Sequence, residues 1–223
     1  MKRVLTLAIG LLLVLACVGT VSAGTAVNLV TNGGFEDPLI TGDFGTYTGS
    51  GLTGWTTSGS IDLIHGYWKS HSGAQSIDLA GNERGKISQT INTAEPDGTY
   101  TISFWLAGNP HILYQGPKEL NVYWDGEKVK SITFDTTGKT VDNMGWTLVT
   151  ISGLKAKGKT TEIVFEQGET SNNYIGVALD DISVVDPVDP PTPAPEFPST
   201  ALPAAMLVGF MGIVLYIQKS RKD

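Results

Sequence analysis

An antiparallel β-sandwich or barrel is the fold that the sequence predicts, and three observations predict it. Apolar and polar residues alternate with period two in short runs from Asn28 to Val185. Gly, Asn, Asp and Pro break those runs every ten residues or so, and no helical period persists beyond two turns. The composition agrees: 27 Gly, 11 Pro and only 17% charged residues disfavour a helical bundle, a coiled coil or an acidic disordered chain.

The clearest strand is Tyr100–Ala107. Tyr100, Ile102, Phe104 and Leu106 share one face, and Thr101, Ser103, Trp105 and Ala107 share the other, so Trp105 is the one large aromatic on the polar side. Further strands are expected at Ile61–His65, Ser76–Leu79, Lys86–Ile91, Leu120–Asp125, Val129–Phe134, Trp146–Ile151, Thr161–Glu166 and Val177–Val185. Asp125-Gly126, between two of them, has the chemistry of a two-residue hairpin turn.

Both ends read as targeting segments. Lys2 and Arg3 precede an apolar run to Val18 and the small-residue triplet Val21-Ser22-Ala23, the three parts of a signal peptide over residues 1–23. A first transmembrane helix, or lipidation at Cys17, is the competing reading. Cleavage after Ala23 removes Cys17, the only cysteine, so disulfides and thiolate chemistry are not expected in the mature chain. Residues 24–186 form the one expected domain. They carry ten basic and nineteen acidic residues, more acidic than the overall −7, which argues against nucleic acid as a partner.

Residues 187–200 are a Pro-rich linker that prefers extended geometry. Residues 201–218 are an uncharged apolar segment near the lower limit for a membrane-spanning helix, and the basic tail 219–223 should stay cytoplasmic. The order Pro195-Glu196-Phe197-Pro198, apolar helix, basic terminus resembles the PEF-CTERM sorting signal of archaeal surface proteins. That resemblance implies recognition by an archaeosortase, removal of the tail and transfer to a lipid anchor. An ordinary single-pass anchor with a proline-rich neck is the other reading. Both put the domain on the extracellular face of the cell membrane.

The domain itself resembles a family. The motifs Asn28-Leu-Val-Thr-Asn-Gly-Gly-Phe-Glu36, Gly54-Trp55, Ile61-Asp-Leu-Ile64, Tyr67-Trp68, Gly73-Ala-Gln-Ser-Ile-Asp-Leu-Ala-Gly81, Ile87-Ser-Gln-Thr90, Leu106-Ala-Gly-Asn-Pro110 and Leu179-Asp-Asp-Ile182 occur in the order seen in the choice-of-anchor C family. That family is similar to the galactose-binding-like jelly-roll domain of unknown function in plant cell-wall proteins. The resemblance implies an all-β, antiparallel jelly-roll sandwich and, from the plant relatives, polysaccharide as the partner.

Modules of that jelly-roll type often hold one structural calcium ion between a Glu after the first strand and an Asp in the last. Glu36 and Asp180 fit by position, and calcium takes six to eight hard oxygens. Strand parity groups Asp180 with Ile182 and Val184, pointing inward. The competing reading has these acids capping a turn and solvating a strand end.

Sugars are bound by aromatic faces, with amide and carboxylate side chains reading hydroxyls. The pool is Trp55, Trp68, Trp105, Trp124, Trp146, Tyr67, Tyr114 and Tyr123. Trp124 shares parity with Leu120 and Val122 and is assigned to the core, as are Trp55 and Trp146. Trp105, Tyr67, Trp68 and Tyr114 are the expected stacking residues, with Asn109 and Gln115 as polar partners; His111 stands in the same loop. His65, His71 and His111 lack the spacing of a zinc site. No nucleophile elbow, His-Glu-x-x-His or phosphate loop occurs, so a non-enzyme is expected. The leading reading is a surface polysaccharide-binding module. The rival is a structural coat or adhesion protein whose aromatics are mostly core.

Overall fold

The computed structural model describes residues 26–93, 98–169, 174–186 and 219–220. The signal peptide, the linker with Pro195, Glu196 and Phe197, and the apolar segment 201–218 lie outside the described residues. Among the described residues no helix is long and apolar enough to cross a membrane. Residues 26–187 form one compact unit.

Among the described residues ten strands build it: β1 Phe44–Gly49, β2 Thr56–Ile64, β3 Ser76–Asp78, β4 Lys86–Asn92, β5 Thr99–Gly108, β6 Pro117–Trp124, β7 Glu127–Asp135, β8 Thr147–Lys155, β9 Thr160–Gln167 and β10 Val177–Val185. All pairings are antiparallel, in the order β7-β6-β9-β4-β2-β3-β10-β5-β8, with β1 on β2. The hydrogen-bonded path is continuous because β2 serves both layers of the sandwich. Its Thr56–Ser58 pair with β4 and its Asp62–Ile64 with β3. The change occurs at Gly59, whose φ of +70° a side chain would resist.

The core lies between the layers. Tyr100, Ile102, Phe104 and Leu106 of β5 are buried, as the alternation predicts. Phe104 meets Phe165 of β9 edge-on at 5.2 Å, and Tyr100 meets Trp124 of β6 at 5.6 Å. Asp125 and Gly126 join β6 to β7 with φ of 51° and 79°, the left-handed pair a tight hairpin requires. β1 is absent from the sequence-based strands: Phe44-Gly-Thr-Tyr-Thr-Gly49 exposes every second residue and pairs only with β2, so it carries too little apolar signal.

One parity expectation is overturned. Asp180 lies opposite Trp105 and so shares the outer face with it, while Leu179, Ile182 and Val184 join the core. The register slips between Asp180 and Ser183, where Asp181 has a φ of 49°. A β-bulge there inserts one residue and reverses the phase of everything after it.

Candidate functional site

The outer face of the β3-β10-β5-β8 layer carries small residues at its centre, Ala107 and Ala178. Ile64, Trp68 and Met144 fill the space above them, with Tyr67, Phe134 and Trp146 at the edges. Two loops roof this satellite core: residues 65–75, and the stretch before β8, tied to the first by a Lys69–Val141 backbone bond and by Trp146 Nε1 donating to the Lys69 carbonyl. Trp68 is therefore a packing residue, 4% exposed, whose indole N–H donates to Ser76 Oγ at 2.9 Å. Tyr67 leans on Trp68 at 5.6 Å and on Phe44 at 6.4 Å.

Trp105 does project from the outer face, but it is covered. The His71 ring stacks on the indole at 3.7 Å and 15°, and Trp146 stands edge-on to His71. The stack is held by carboxylates. Asp180 Oδ2 accepts the His71 and Ser72 backbone N–H at 2.9 and 3.2 Å, Asp181 accepts His71 Nδ1 and Ser72 Oγ, each at 2.7 Å, and Glu36 Oε1 accepts the N–H of Ala74 and Gln75. At Gly73, with φ +56°, a Cβ would overlap Glu36 Oε1. Burial beneath the loop, with the Asp181 charge beside it, pushes the Asp180 carboxyl up to about 7.

Glu36 and Asp180 thus face one loop from opposite ends of the domain. Their donor chemistry fits a calcium ion in part: both are hard carboxylates, and although Glu36 Oε1 and Asp180 Oδ2 each accept two N–H groups, Asp180 Oδ1 accepts only the Asp181 N–H and keeps a second lone pair. Among the described residues no group of three or more His, Cys, Asp or Glu is arranged so as to hold a metal ion.

The β5–β6 loop is held from within. Asn109 is 7% exposed, donates to Asp78 Oδ2 at 2.8 Å and accepts the His111 N–H, so its amide is occupied. Asp78 also takes the N–H of Ala80 and Gly176, yet its complete burial outweighs these donors and pushes it up to about 8. Gln115 clips residues 138 and 139, accepting from Gly138 N–H and donating to the Lys139 carbonyl. Of the expected sugar ligands in this loop only Tyr114 is open, 48% exposed beside Ile112 and Leu113, both more exposed still.

Among the described residues, the opposite layer has no such roof. Its outer face forms a groove of about 690 Å³ between β2, β4, β9 and β6. The register aligns a polar row across it, Lys86 opposite Glu166 and Glu166 opposite Asn121, with Ser131 of β7 beyond Asn121. Tyr123, one pleat along β6, contributes the aromatic surface. Its hydroxyl donates to Glu166 Oε2 at 2.7 Å, a bond that pushes the phenol up to about 12, and Lys128 lies 5.7 Å from the ring centre. Glu119 accepts from Ser131 Oγ at 3.0 Å on the same face. Asn121 is 7% exposed and its Oδ1 has no hydrogen-bond partner.

Sequence reasoning passed over this groove, although a signal existed. Assigning Leu120, Val122 and Trp124 to the core puts Glu119, Asn121 and Tyr123 on the outer face by the same alternation. Strand parity pointed instead to Trp105, and loop settings to Tyr67, Trp68 and Tyr114, none of which lines this groove.

Among solved structures the fold is similar to TmCBM61 in complex with β-1,4-galactotriose (22% identity, TM-score 0.47, covering 72% of this chain and 99% of that one). It is also similar to a family 35 carbohydrate-binding module from Clostridium thermocellum (16% identity, TM-score 0.44, covering 64% and 98%). In sequence the chain is 30% identical over 182 residues to halomucin of Haloquadratum walsbyi; the match takes in 78% of this chain and about 2% of the length of halomucin. The family model for proteins of unknown function DUF642 matches residues 28–185, every strand of the sandwich included, and the chain belongs to that family.

Proposed function

We propose that the protein is an exported, non-catalytic binding module for polysaccharide at the cell surface. The observation that carries this reading is the unroofed groove: a polar row of charged and amide side chains beside one accessible aromatic, Tyr123, on a rigid sheet. Aromatic surface for stacking and fixed polar groups for hydroxyls are what sugar recognition requires. The name of halomucin and the carbohydrate-binding modules of like fold are compatible with it. Export by residues 1–23, and retention by residues 201–218 or by a lipid after archaeosortase processing at Pro195-Glu196-Phe197, belong to the same proposal, as does membership of the choice-of-anchor C group. Glu36 and Asp180 are proposed to share a structural calcium ion above the 71–75 loop, away from the groove.

A glycan array probed with the full chain tests the proposal. Retained signal that Tyr123→Ala abolishes supports it, and silence across neutral and acidic glycans counts against it. The second reading, a coat or adhesion protein, is favoured by the exposed apolar tip Ile112-Leu113-Tyr114 and by the covering of Trp105. Loss of self-association on Leu113→Ser, with no glycan bound by the parent, would select that reading. Intact mass of the surface protein tests the tail: retention of Lys219 to Asp223 leaves the plain anchor.

A further inference from the structure

The Asn121 amide is the anomaly of the groove. Buried amides make hydrogen bonds because an unpaired one keeps its full desolvation cost, about 1–3 kcal/mol. Asn121 is buried between two neighbouring strands, opposite Ser131 on one side and Glu166 on the other, yet Oδ1 meets no donor. Its neighbours are committed elsewhere: Ser131 Oγ donates to Glu119, and Tyr123 donates to Glu166. Thr57 Oγ1 is the other buried orphan among the described residues, but Thr57 is not among the residues that line the groove.

We propose, resting on the polysaccharide reading above, that Asn121 is a recognition residue of the groove and that its ligand is a neutral, hydroxyl-bearing saccharide chain laid across the strands over Tyr123. A hydroxyl donates and accepts, so it completes the amide from whichever end it approaches. The carboxylates of Glu166 and Glu119 flank the amide. A uronate or sulfate placed on Asn121 would face both at short range, and like charges in a partly desolvated site repel strongly. Sugar hydroxyls instead donate to them. The row Lys86, Glu166, Asn121 spans two strand intervals, roughly 10 Å at the usual spacing, so it reads more than one sugar ring.

The proposal separates binding from folding. In Asn121→Leu the unpaired polar group disappears while the branched shape of the side chain is kept, so a residue serving only the fold and one serving a ligand respond in opposite ways. Isothermal titration of the full chain with soluble galactan, xylan, glucan and polygalacturonate, beside melting curves of parent, Asn121→Leu and Tyr123→Ala, makes the distinction. Expected is binding of at least one neutral polymer and not of polygalacturonate, an affinity lowered about tenfold in Asn121→Leu, and a melting temperature in that variant equal to or above the parent's. Binding lost in Tyr123→Ala but unchanged in Asn121→Leu overturns the role of Asn121 and leaves the polysaccharide reading intact. Tighter binding of polygalacturonate than of every neutral polymer overturns the ligand class. A parent that binds none of the four overturns both proposals together.

Discussion

The two outer faces of the sandwich are built from the same alternating strands and end opposite in character. Over β3-β10-β5-β8, alanines leave a hollow that aromatics and two loops fill, so Trp68 and Trp146 pack into the satellite core and His71 lies over Trp105. Over β4-β9-β6, polar side chains stand in register along a groove, and Tyr123 supplies its aromatic surface. Aromatic density marks where a protein has apolar area to bury, and burial against its own loop is the nearest way to bury it. A ligand face is better marked by polar groups that the fold leaves unpaired.

The largest expected effect lies on the roofed face. Trp68→Ala removes a buried indole and the Ser76 bond, and should cost about 3–5 kcal/mol of stability by chemical denaturation; a loss below about 1 kcal/mol would mean the roof is not a core at all. Calcium sharpens the same face. If Glu36 and Asp180 hold an ion, a hundredfold excess over Kd should stabilise chelator-treated protein by about 2.7 kcal/mol, and Asp180→Ala should abolish that response. An unchanged melting temperature leaves the carboxylates as clips for loop N–H groups alone.

The two faces are compared directly by Trp105→Ala and Tyr123→Ala. The first should lower stability by about 2 kcal/mol, roughly half the core value for a half-buried ring, and leave glycan affinity alone. Tyr123→Ala should do the reverse, lowering affinity by about 2 kcal/mol or more at an unchanged melting temperature. Exchange of those outcomes would return the site to Trp105.

The gentlest effect is a slope with pH. Asp78 is pushed from 3.8 to about 8 by burial, so across that window the native state keeps a proton that the unfolded chain has released. Its contribution is fully present below pH 3.8 and is lost as pH rises toward 8, at no more than about 1.4 kcal/mol per unit. Calorimetry should show the melting temperature falling from pH 5 to 8, and Asp78→Asn should flatten the fall.

The sandwich was legible from the sequence because period-two alternation is a local property: the core face of β5 and the Asp125-Gly126 hairpin follow from neighbouring residues alone. So was the outward direction of Trp105. Two things were not. The phase of Asp180 depends on a bulge at Asp181, and nothing in Leu179-Asp-Asp-Ile182 announces a residue inserted against a partner strand 75 positions away in the chain. What lies over each face depends on where loops of distant origin settle. Strand parity assigns a side to a residue, whereas exposure belongs to the whole chain, and only the tertiary structure put His71 on Trp105 and left the groove beside Tyr123 and Asn121 open.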